Sequence, residues 1–213
     1  MEVNLYFKVN KIRINIMNNR IIVGLGNIGS SYDFTRHNVG FLFLDKIIEH
    51  FEVTDNFQKS QYSMVVNKKI DNVNVYFIKP TTYMNNSGLA VSYWKNWLKI
   101  DNSDIMILVD DLHIDIGDIR YRKIGSSGGH NGLKNIEMMI GDDYQRLRIG
   151  IGNDYKYGQQ CDFVIGKFKK EELDIFDNKY NYVFEIIENF IKIDDLKIRE
   201  NKINDILSKM NNF

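Results

Sequence analysis

Residues 105–111 read Ile-Met-Ile-Leu-Val-Asp-Asp, a short and unbroken apolar run that ends in two carboxylates. A run of this length without polar alternation is typical of a strand that is buried on both faces of a sheet. In wound α/β proteins, ligands bind at the carboxyl ends of such strands. The stretch therefore predicts a central strand, and it places Asp110 and Asp111 where chemistry usually takes place.

The segments on either side alternate between strand and helix patterns. Strands are predicted at 20–24, 73–79, 118–123 and 144–151, and amphipathic helices at 38–51, 87–98, 131–140 and 169–191. This alternation indicates a wound sheet with helices packed on it. We expect a single α/β domain with a mixed, largely parallel twisted sheet flanked by helices. The C-terminal helix is expected to act as a lid that borders the ligand-binding cleft at the carboxyl ends of the strands.

The chain has 213 residues, which suits one domain and leaves little room for a second core. Residues 20–213 are assigned to this domain. Residues 1–19 precede the first predicted strand, and their basic residues Lys8, Lys11 and Arg13 outnumber the single acidic residue Glu2. We interpret them as an N-terminal extension of uncertain role, with a transit peptide as the alternative.

The 28 basic and 28 acidic residues balance, so any nucleic-acid contact has to be a local patch. The single cysteine, Cys161, can form no internal disulfide, and no Cys/His cluster has zinc-ligand spacing. We therefore expect a reducing compartment and neither metal nor cofactor. No apolar run approaches the roughly 20 residues that span a bilayer. The expectation is a cytoplasmic monomer, or a protein of an organellar matrix if the extension is a transit peptide.

The first predicted strand is followed by Gly24-Leu25-Gly26-Asn27-Ile28-Gly29, which matches the G-x-G-x-x-G pattern of dinucleotide-binding proteins. In those proteins a helix begins inside the glycine motif, and an acidic residue ends a second strand about 20 residues later. Here residues 30–37 are polar and aperiodic, and Asp45 falls within a predicted helix. The pattern does not favour a nicotinamide site.

Four further segments place polar side chains in loops next to predicted strands or helices. They are Thr35-Arg36-His37-Asn38, Lys79-Pro80-Thr81-Thr82-Tyr83-Met84-Asn85-Asn86-Ser87-Gly88, Asp110-Asp111, and Gly128-Gly129-His130-Asn131-Gly132-Leu133. In a wound sheet such loops gather along one edge, where ligands bind. The sequence therefore predicts one composite site.

In their order and separation, these segments resemble the bacterial-type peptidyl-tRNA hydrolase family, over about residues 21–168. The resemblance implies an enzyme that hydrolyses the ester between peptide and tRNA, with peptidyl-tRNA as its partner. It implies His37 as the catalytic base, Asp110 as its partner, and Asn27 as a further catalytic residue. The residues that it implies for substrate binding are Tyr32, Tyr83, Met84, Asn85 and Asn131. The chain departs from the family pattern at Ile28, where proline is usual, and at His113, where an acidic residue is usual.

The residue types suit this chemistry independently of the resemblance. An aminoacyl ester is already activated, so a water molecule deprotonated by one imidazole is a sufficient nucleophile, without a covalent intermediate. A carboxylate such as Asp110 can fix the tautomer of His37 and stabilise its imidazolium. Asparagine amides can both donate and accept hydrogen bonds, which suits binding of peptide amides and of an oxyanion.

The strand predicted at 118–123 directs Arg120 and Arg122 to the same face. We interpret this pair as a phosphate site for tRNA, and a solvated strand face is the alternative. Arg146 and Arg148 share a face of another strand and are interpreted as structural or auxiliary. A different function remains open, that of a non-catalytic RNA-binding relative of the kind that plant organelles use in intron splicing.

Overall fold

The computed structural model describes residues 18–210, and seven strands of this part form one sheet. The strands are β1 (Asn18–Gly24), β2 (Gln58–Ser60), β3 (Ser63–Ile70), β4 (Val73–Pro80), β5 (Ile105–Asp111), β6 (Ile119–Arg122) and β7 (Gln145–Gly150). Their spatial order is β2-β3-β4-β1-β5-β7-β6. β5 pairs with β1 on one side and β7 on the other, so the predicted central strand is confirmed.

The sheet is mixed and largely parallel, as predicted. β4, β1, β5 and β7 run parallel to one another, whereas β2, β3 and β6 pair antiparallel with their neighbours. The four parallel strands therefore end along one edge, at Gly24, Pro80, Asp111 and Gly150, which we call the carboxyl edge. Loops that leave these strands are brought together there.

Helices cover both faces of the sheet. They are α1 (Val39–His50), α2 (Ser87–Leu98), α3 (Asn131–Ile140), α4 (Gln160–Ile165), α5 (Lys170–Asp177), α6 (Tyr180–Lys192) and α7 (Leu196–Met210). In β1, Ile22 packs with α1, α6 and α7, and Ile21 and Val23 pack with α2 and α3 on the other face. A strand covered on both faces has to be apolar throughout. None of the helices described is long and apolar enough to cross a bilayer.

The C-terminal region differs from the prediction. The prediction of a single helix over 169–191 is wrong. The helix is interrupted at Asn178-Lys179, which separates α5 from α6, and α7 follows. The apolar stripe continues across the break, so periodicity did not reveal it. Phe176 and Ile187 pack against the sheet and α1. The helix that borders the cleft is instead α4, which the sequence did not predict.

Two further comparisons with the predictions concern the β2–β3 hairpin and the N-terminal extension. β2 and β3 were missed, because an edge hairpin with Asn67, Lys68 and Lys69 lacks the apolar pattern of an interior strand. The predicted extension falls on residues that lie outside the described part of the chain, apart from Asn18 and Asn19, which begin β1. Its role stays a prediction.

Gly40, in the first turn of α1, sets how closely this helix approaches the sheet. A Cβ atom there would lie 2.5 Å from the carbonyl oxygen and 2.6 Å from the amide nitrogen of Leu25, and would also clash with the Leu108 carbonyl. Gly40→Ala should lower the free energy of unfolding by about 3 kcal/mol, because rigid backbone would have to move. Urea unfolding followed by circular dichroism measures it.

Lys46→Ala, on the exposed face of the same helix, is the matched control, with an expected change within about 0.5 kcal/mol. If Gly40→Ala were as stable as the wild type, the close approach of α1 to β1 and β5 would be contradicted.

Candidate active site

His37 lies in a 3-10 turn, Arg36–Asn38, that leads directly into α1. The buried Asn38 holds this turn in place. Its Oδ1 accepts a hydrogen bond from the Asn27 amide (2.8 Å), and its Nδ2 donates to the Asn27 carbonyl (2.9 Å). Both ends of the side-chain amide therefore bind the loop after β1, and this reciprocal pair fixes His37 at the carboxyl edge.

His37 meets Asp110, which comes from the end of β5. Its Nδ1 lies 3.0 Å from both carboxylate oxygens of Asp110. His130, immediately before α3, approaches the same carboxylate from another side, with its Nε2 3.0 Å from Asp110 Oδ1. The two imidazole rings are tilted against each other with centroids 5.0 Å apart. One carboxylate thus joins two histidines from different loops.

The hydrogen bonds define the proton positions in this cluster. His130 caps α3, because its Nδ1 accepts from the Leu133 amide at 3.2 Å. Its Nε2 must then carry the proton that it donates to Asp110. By the same reasoning His37 donates through Nδ1, which leaves its Nε2 as an acceptor. The atoms of His37, Asp110 and His130 that could ligate a metal lie within 4.8 Å of one another, a spacing that a cation could bridge. In this structure, however, both imidazoles donate an N–H hydrogen bond to Asp110.

The electrostatics follow from burial and from these contacts. Burial raises the pKa of the Asp110 carboxyl, but the charges and hydrogen bonds of His37 and His130 lower this pKa by more, well below its usual range. Burial lowers the pKa of His37, yet the charge and the hydrogen bond of Asp110 outweigh it, so the pKa is raised. Asp110 is therefore ionised, and it stabilises a proton on His37.

This cluster lines a cleft to which Asn131 and Cys161 also contribute. The glycine-rich loop 125–129 forms one wall. Arg148 anchors this loop, since its guanidinium donates to the carbonyls of Ser126 (2.9 Å) and Ser127 (3.2 Å) and pairs with Asp111 (2.8 Å). The buried Arg146 donates to the Gly125 carbonyl. The structural interpretation of both arginines is therefore confirmed.

Another wall is α4, from which Gln160, Cys161 and Val164 line the cleft. Arg36 fastens this helix beside His37. Its guanidinium lies over the ring of Phe163, 4.4 Å from the centroid, and forms two 2.9 Å hydrogen bonds to Glu172. A helix of six residues has too little periodicity to be found from the sequence, and the cation–π contact that holds it joins residues far apart in the chain.

The residues expected to bind substrate, together with Asn27, which was expected to be catalytic, divide into two groups. Asn131, exposed at the start of α3, lines the cleft itself. The others belong to the loops after β1 and β4, beside the cleft, and do not line its central cavity: Asn27, Tyr32, Tyr83, Met84 and Asn85. Asn27 is largely buried, and its Oδ1 accepts from the Met84 amide at 2.8 Å. Tyr32 and Tyr83 meet edge to face, with centroids 6.4 Å apart.

Gly132 connects the two groups. A Cβ atom at this position would lie 2.7 Å from Met84 Sδ and 3.0 Å from His130 Cε1. The start of α3 therefore packs closely between Met84 and His130. His130 lies in the motif at 128–133, and its direct hydrogen bond to Asp110 could not be read from the sequence.

Arg120 and Arg122 are exposed and project from β6 on the same face, as predicted. In the antiparallel pairing Arg120 lies opposite Arg148 and Arg122 opposite Arg146. All four arginines line one depression next to the loop 125–129. Because the guanidinium groups of Arg146 and Arg148 bind that loop, Arg120 and Arg122 are the pair that faces solvent. His113, which lines both this depression and the cleft, is exposed as well.

The dinucleotide alternative finds no support in this geometry. α1 begins at Val39, ten residues after the glycine motif ends, and 3-10 turns occupy the interval. Asp45, which would have to bind a ribose, lies within α1 and pairs with Lys79 at 2.5 Å.

A wound α/β sheet with a histidine–carboxylate pair at its carboxyl edge is an arrangement found in hydrolases that activate water with an imidazole. The chain belongs to the peptidyl-tRNA hydrolase family, because the model of that family, described as peptidyl-tRNA hydrolase, matches residues 21–212. The resemblance carried by the sequence motifs is thereby confirmed. The roles of individual residues stay predictions.

Individual relatives agree with this assignment. A peptidyl-tRNA hydrolase of Porphyromonas gingivalis is 42% identical over 171 residues, which are 80% of this chain and 91% of the relative. One of Mycoplasma capricolum is 38% identical over 186 residues, which are 87% of this chain and the full relative. The crystal structure of peptidyl-tRNA hydrolase from Acinetobacter baumannii matches with a TM-score of 0.79 at 29% identity, covering 92% of this chain and 96% of that one.

The electrostatic analysis predicts how Asp110→Asn changes His37. The variant removes the negative charge that raises the pKa of His37 and keeps the burial that lowers it. The pKa of His37 should therefore move from above the ordinary imidazole value of about 6.5 to below it. Titration of the His37 ring by NMR measures both values.

Asp111→Asn is the matched control, because Asp111 pairs with Arg148 and not with His37. It should shift the pKa of His37 much less. A His37 titration that is the same in Asp110→Asn and the wild type would contradict the assigned coupling.

Proposed function

We propose that this chain hydrolyses the ester that joins peptide to tRNA in peptidyl-tRNA, releasing free tRNA for reuse in translation, with His37 as the general base. The family match and the names of the relatives support the reaction. One observation carries the mechanism. Nδ1 of His37 is held by Asp110, while its Nε2 has no hydrogen-bond partner among residues 18–210.

In the proposed reaction His37 Nε2 removes a proton from a water molecule as the water oxygen attacks the ester carbonyl carbon. A tetrahedral intermediate forms, and its carbonyl oxygen gains negative charge. When the intermediate collapses, the bond to the ribose oxygen breaks, and the imidazolium returns its proton to that oxygen. The products are a peptide carboxylic acid and tRNA. Asp110 stabilises the imidazolium between these steps and is not itself protonated.

Asparagine side chains supply the hydrogen bonds that bind the substrate in this proposal. Asn27 uses its Oδ1 on the Met84 amide, so its Nδ2 remains as a donor for the ester end of the substrate. Asn131 and Asn85 are exposed, and their amides can pair with peptide N–H and C=O groups. Because they would bind the peptide backbone, they would tolerate any peptide sequence.

The tRNA side of the substrate is assigned to Arg120 and Arg122. Their side chains are exposed next to the loop that borders the cleft, and guanidinium groups bind phosphate well. This local pair explains how a protein with no net charge could hold a polyanion. The alternative of a solvated strand face predicts that their removal has no effect on substrate binding.

The second function considered, a non-catalytic RNA-binding relative, is not favoured by the comparisons, because the relatives are named as hydrolases. Release of tRNA from peptidyl-tRNA under multiple-turnover conditions distinguishes it from the enzyme. We further propose that the enzyme acts as a metal-free monomer in the cytoplasm. All the residues assigned to the site come from one chain, and the mechanism needs no metal-bound water.

His37→Ala should lower kcat/KM for peptidyl-tRNA by at least about 100-fold, because a general base commonly contributes that much. The circular dichroism spectrum should stay unchanged, since His37 is not part of the apolar core. His50→Ala, at the far end of α1, is the control and should keep nearly full activity. Turnover of His37→Ala close to that of wild type would remove His37 from its role. Activity that chelators abolish would contradict the metal-free mechanism.

Replacement of both Arg120 and Arg122 by Ala should raise KM for full-length peptidyl-tRNA and spare kcat. The slope of log binding constant against log salt should fall by up to about 1.5 units, because each phosphate contact contributes somewhat under one. A minimal ester without phosphate should be cleaved equally by both proteins. Kinetics across a salt series measure these effects.

A double Ala variant of Lys202 and Lys209 is the control, since both are exposed on α7, which covers the opposite face of the sheet from Arg120 and Arg122. It should keep the wild-type KM and salt slope. If the arginine variant behaves in the same way, the phosphate assignment is wrong, and the catalytic assignment is unaffected.

A further inference from the structure

Two exposed tyrosines at the carboxyl edge adopt backbone conformations that are unfavourable for any residue with a side chain. Tyr83 has φ 57° and ψ 162°, a region that is essentially reserved for glycine, and it is 52% exposed. Tyr62 has φ 62° in the two-residue turn between β2 and β3, and it is 39% exposed. Glycine or asparagine would fit this turn with less strain. Neither the backbone nor burial in the core accounts for a tyrosine at these positions.

Other residues with positive φ provide a comparison. In the described part of the chain Phe34, Glu52, Asp71 and Lys99 also have positive φ. Glu52, Asp71 and Lys99 are charged residues at helix ends or in the β3–β4 turn, where such values are ordinary. Phe34, which is 53% exposed, lies in the loop after β1, again at the carboxyl edge. Strained backbone conformations cluster at active sites and at loops that clamp ligands. The two tyrosines therefore point to a ligand.

The register of the sheet places the turn that carries Tyr62 next to the loop that carries Tyr83. β3 begins at Ser63, directly opposite Pro80 at the end of β4. The Thr81 amide donates to the Tyr62 carbonyl at 2.8 Å, so the turn before β3 lies beside the loop that carries Tyr83. Tyr83 contacts Tyr32 edge to face, and Tyr62 contacts Tyr93 in the same manner with centroids 6.3 Å apart. These four tyrosines form what we call the aromatic rim.

The carboxyl edge is therefore chemically asymmetric about Asp110. On the side of β7 and β6 it presents the exposed guanidinium groups of Arg120 and Arg122. On the side of β1, β4 and β3 it presents the aromatic rim. A substrate that joins a polyanion to a polypeptide through an ester has the same asymmetry. With the ester at His37 and the phosphates at the arginines, the peptide extends toward the rim.

We propose that Tyr62, together with Tyr83, forms a subsite for peptide residues upstream of the residue that carries the ester; this inference rests on the proposed function. Neighbouring strands lie about 4.8 Å apart, so β3 is about 14 Å from β5, the length of roughly four extended residues. Tyr62 then contacts the third or fourth residue from the ester. An aromatic ring suits this position, because it packs against peptide side chains of many kinds.

The test compares two substrates on the same tRNA: an N-acetylated single amino acid, which is too short to reach Tyr62, and a pentapeptide. In Tyr62→Gly the ratio of kcat/KM for the long substrate to that for the short one should fall about fivefold to tenfold, the contribution of one aromatic contact. The thermal midpoint should stay close to that of wild type, because relief of the positive φ offsets the freedom that glycine adds to the unfolded chain. A merely structural tyrosine would not change this ratio.

Two variants serve as controls. Tyr62→Phe keeps the ring and should keep the substrate ratio. Trp97→Ala removes an aromatic ring that is 58% exposed in the last turn of α2, at the opposite edge of the sheet, and should also keep the ratio. An unchanged ratio in Tyr62→Gly, or an equal loss on both substrates, overturns the subsite and leaves the hydrolase function intact. A wild-type protein that cleaves neither substrate overturns the proposed function, and this inference with it.

Discussion

The site depends on the buried negative charge of Asp110, which is 3% exposed at the end of the central strand β5. A carboxylate in such a position is strongly destabilising unless hydrogen-bond donors surround it. His37 and His130 supply these donors from two loops that are 93 residues apart in the chain. The same contacts that stabilise the buried charge also set the tautomer of each histidine. The hydrogen bonds that stabilise the buried Asp110 carboxylate in the fold are therefore the same ones that orient the two histidines.

Close backbone packing brings the loops within reach of that carboxylate. Gly40 lets α1 approach β1 and β5, and Gly132 lets the start of α3 pack between Met84 and His130. The amide of Asn38 then ties the entrance of α1 to the loop after β1. Small residues and a reciprocal amide pair thereby hold His37 in place. The carboxyl edge that results is basic on one side of the His37–Asp110 pair and aromatic on the other.

The architecture was largely readable from the sequence, because burial on both sides of a sheet leaves a clear pattern. The apolar run 105–111 predicted the central strand, and α2 and α3 have the predicted bounds. The motifs around His37, Asp110 and Asn131 predicted which loops form the site. Their resemblance to one family predicted what the site does, since polar residues at strand ends are not required by folding. The polar hairpin of β2 and β3 gave no such signal.

Contacts between distant residues were decided by the tertiary structure alone. Periodicity cannot show that His130 shares Asp110 with His37, that Arg36 holds α4 against the cleft, or that the C-terminal helix breaks at Asn178. It also cannot show that Tyr62 lies beside the loop of Tyr83, because this depends on strand register. The sequence by itself determined the order of elements and the residue types available at each strand end. The tertiary structure decided which of them meet, because strand order and helix packing depend on how the whole core fills its volume.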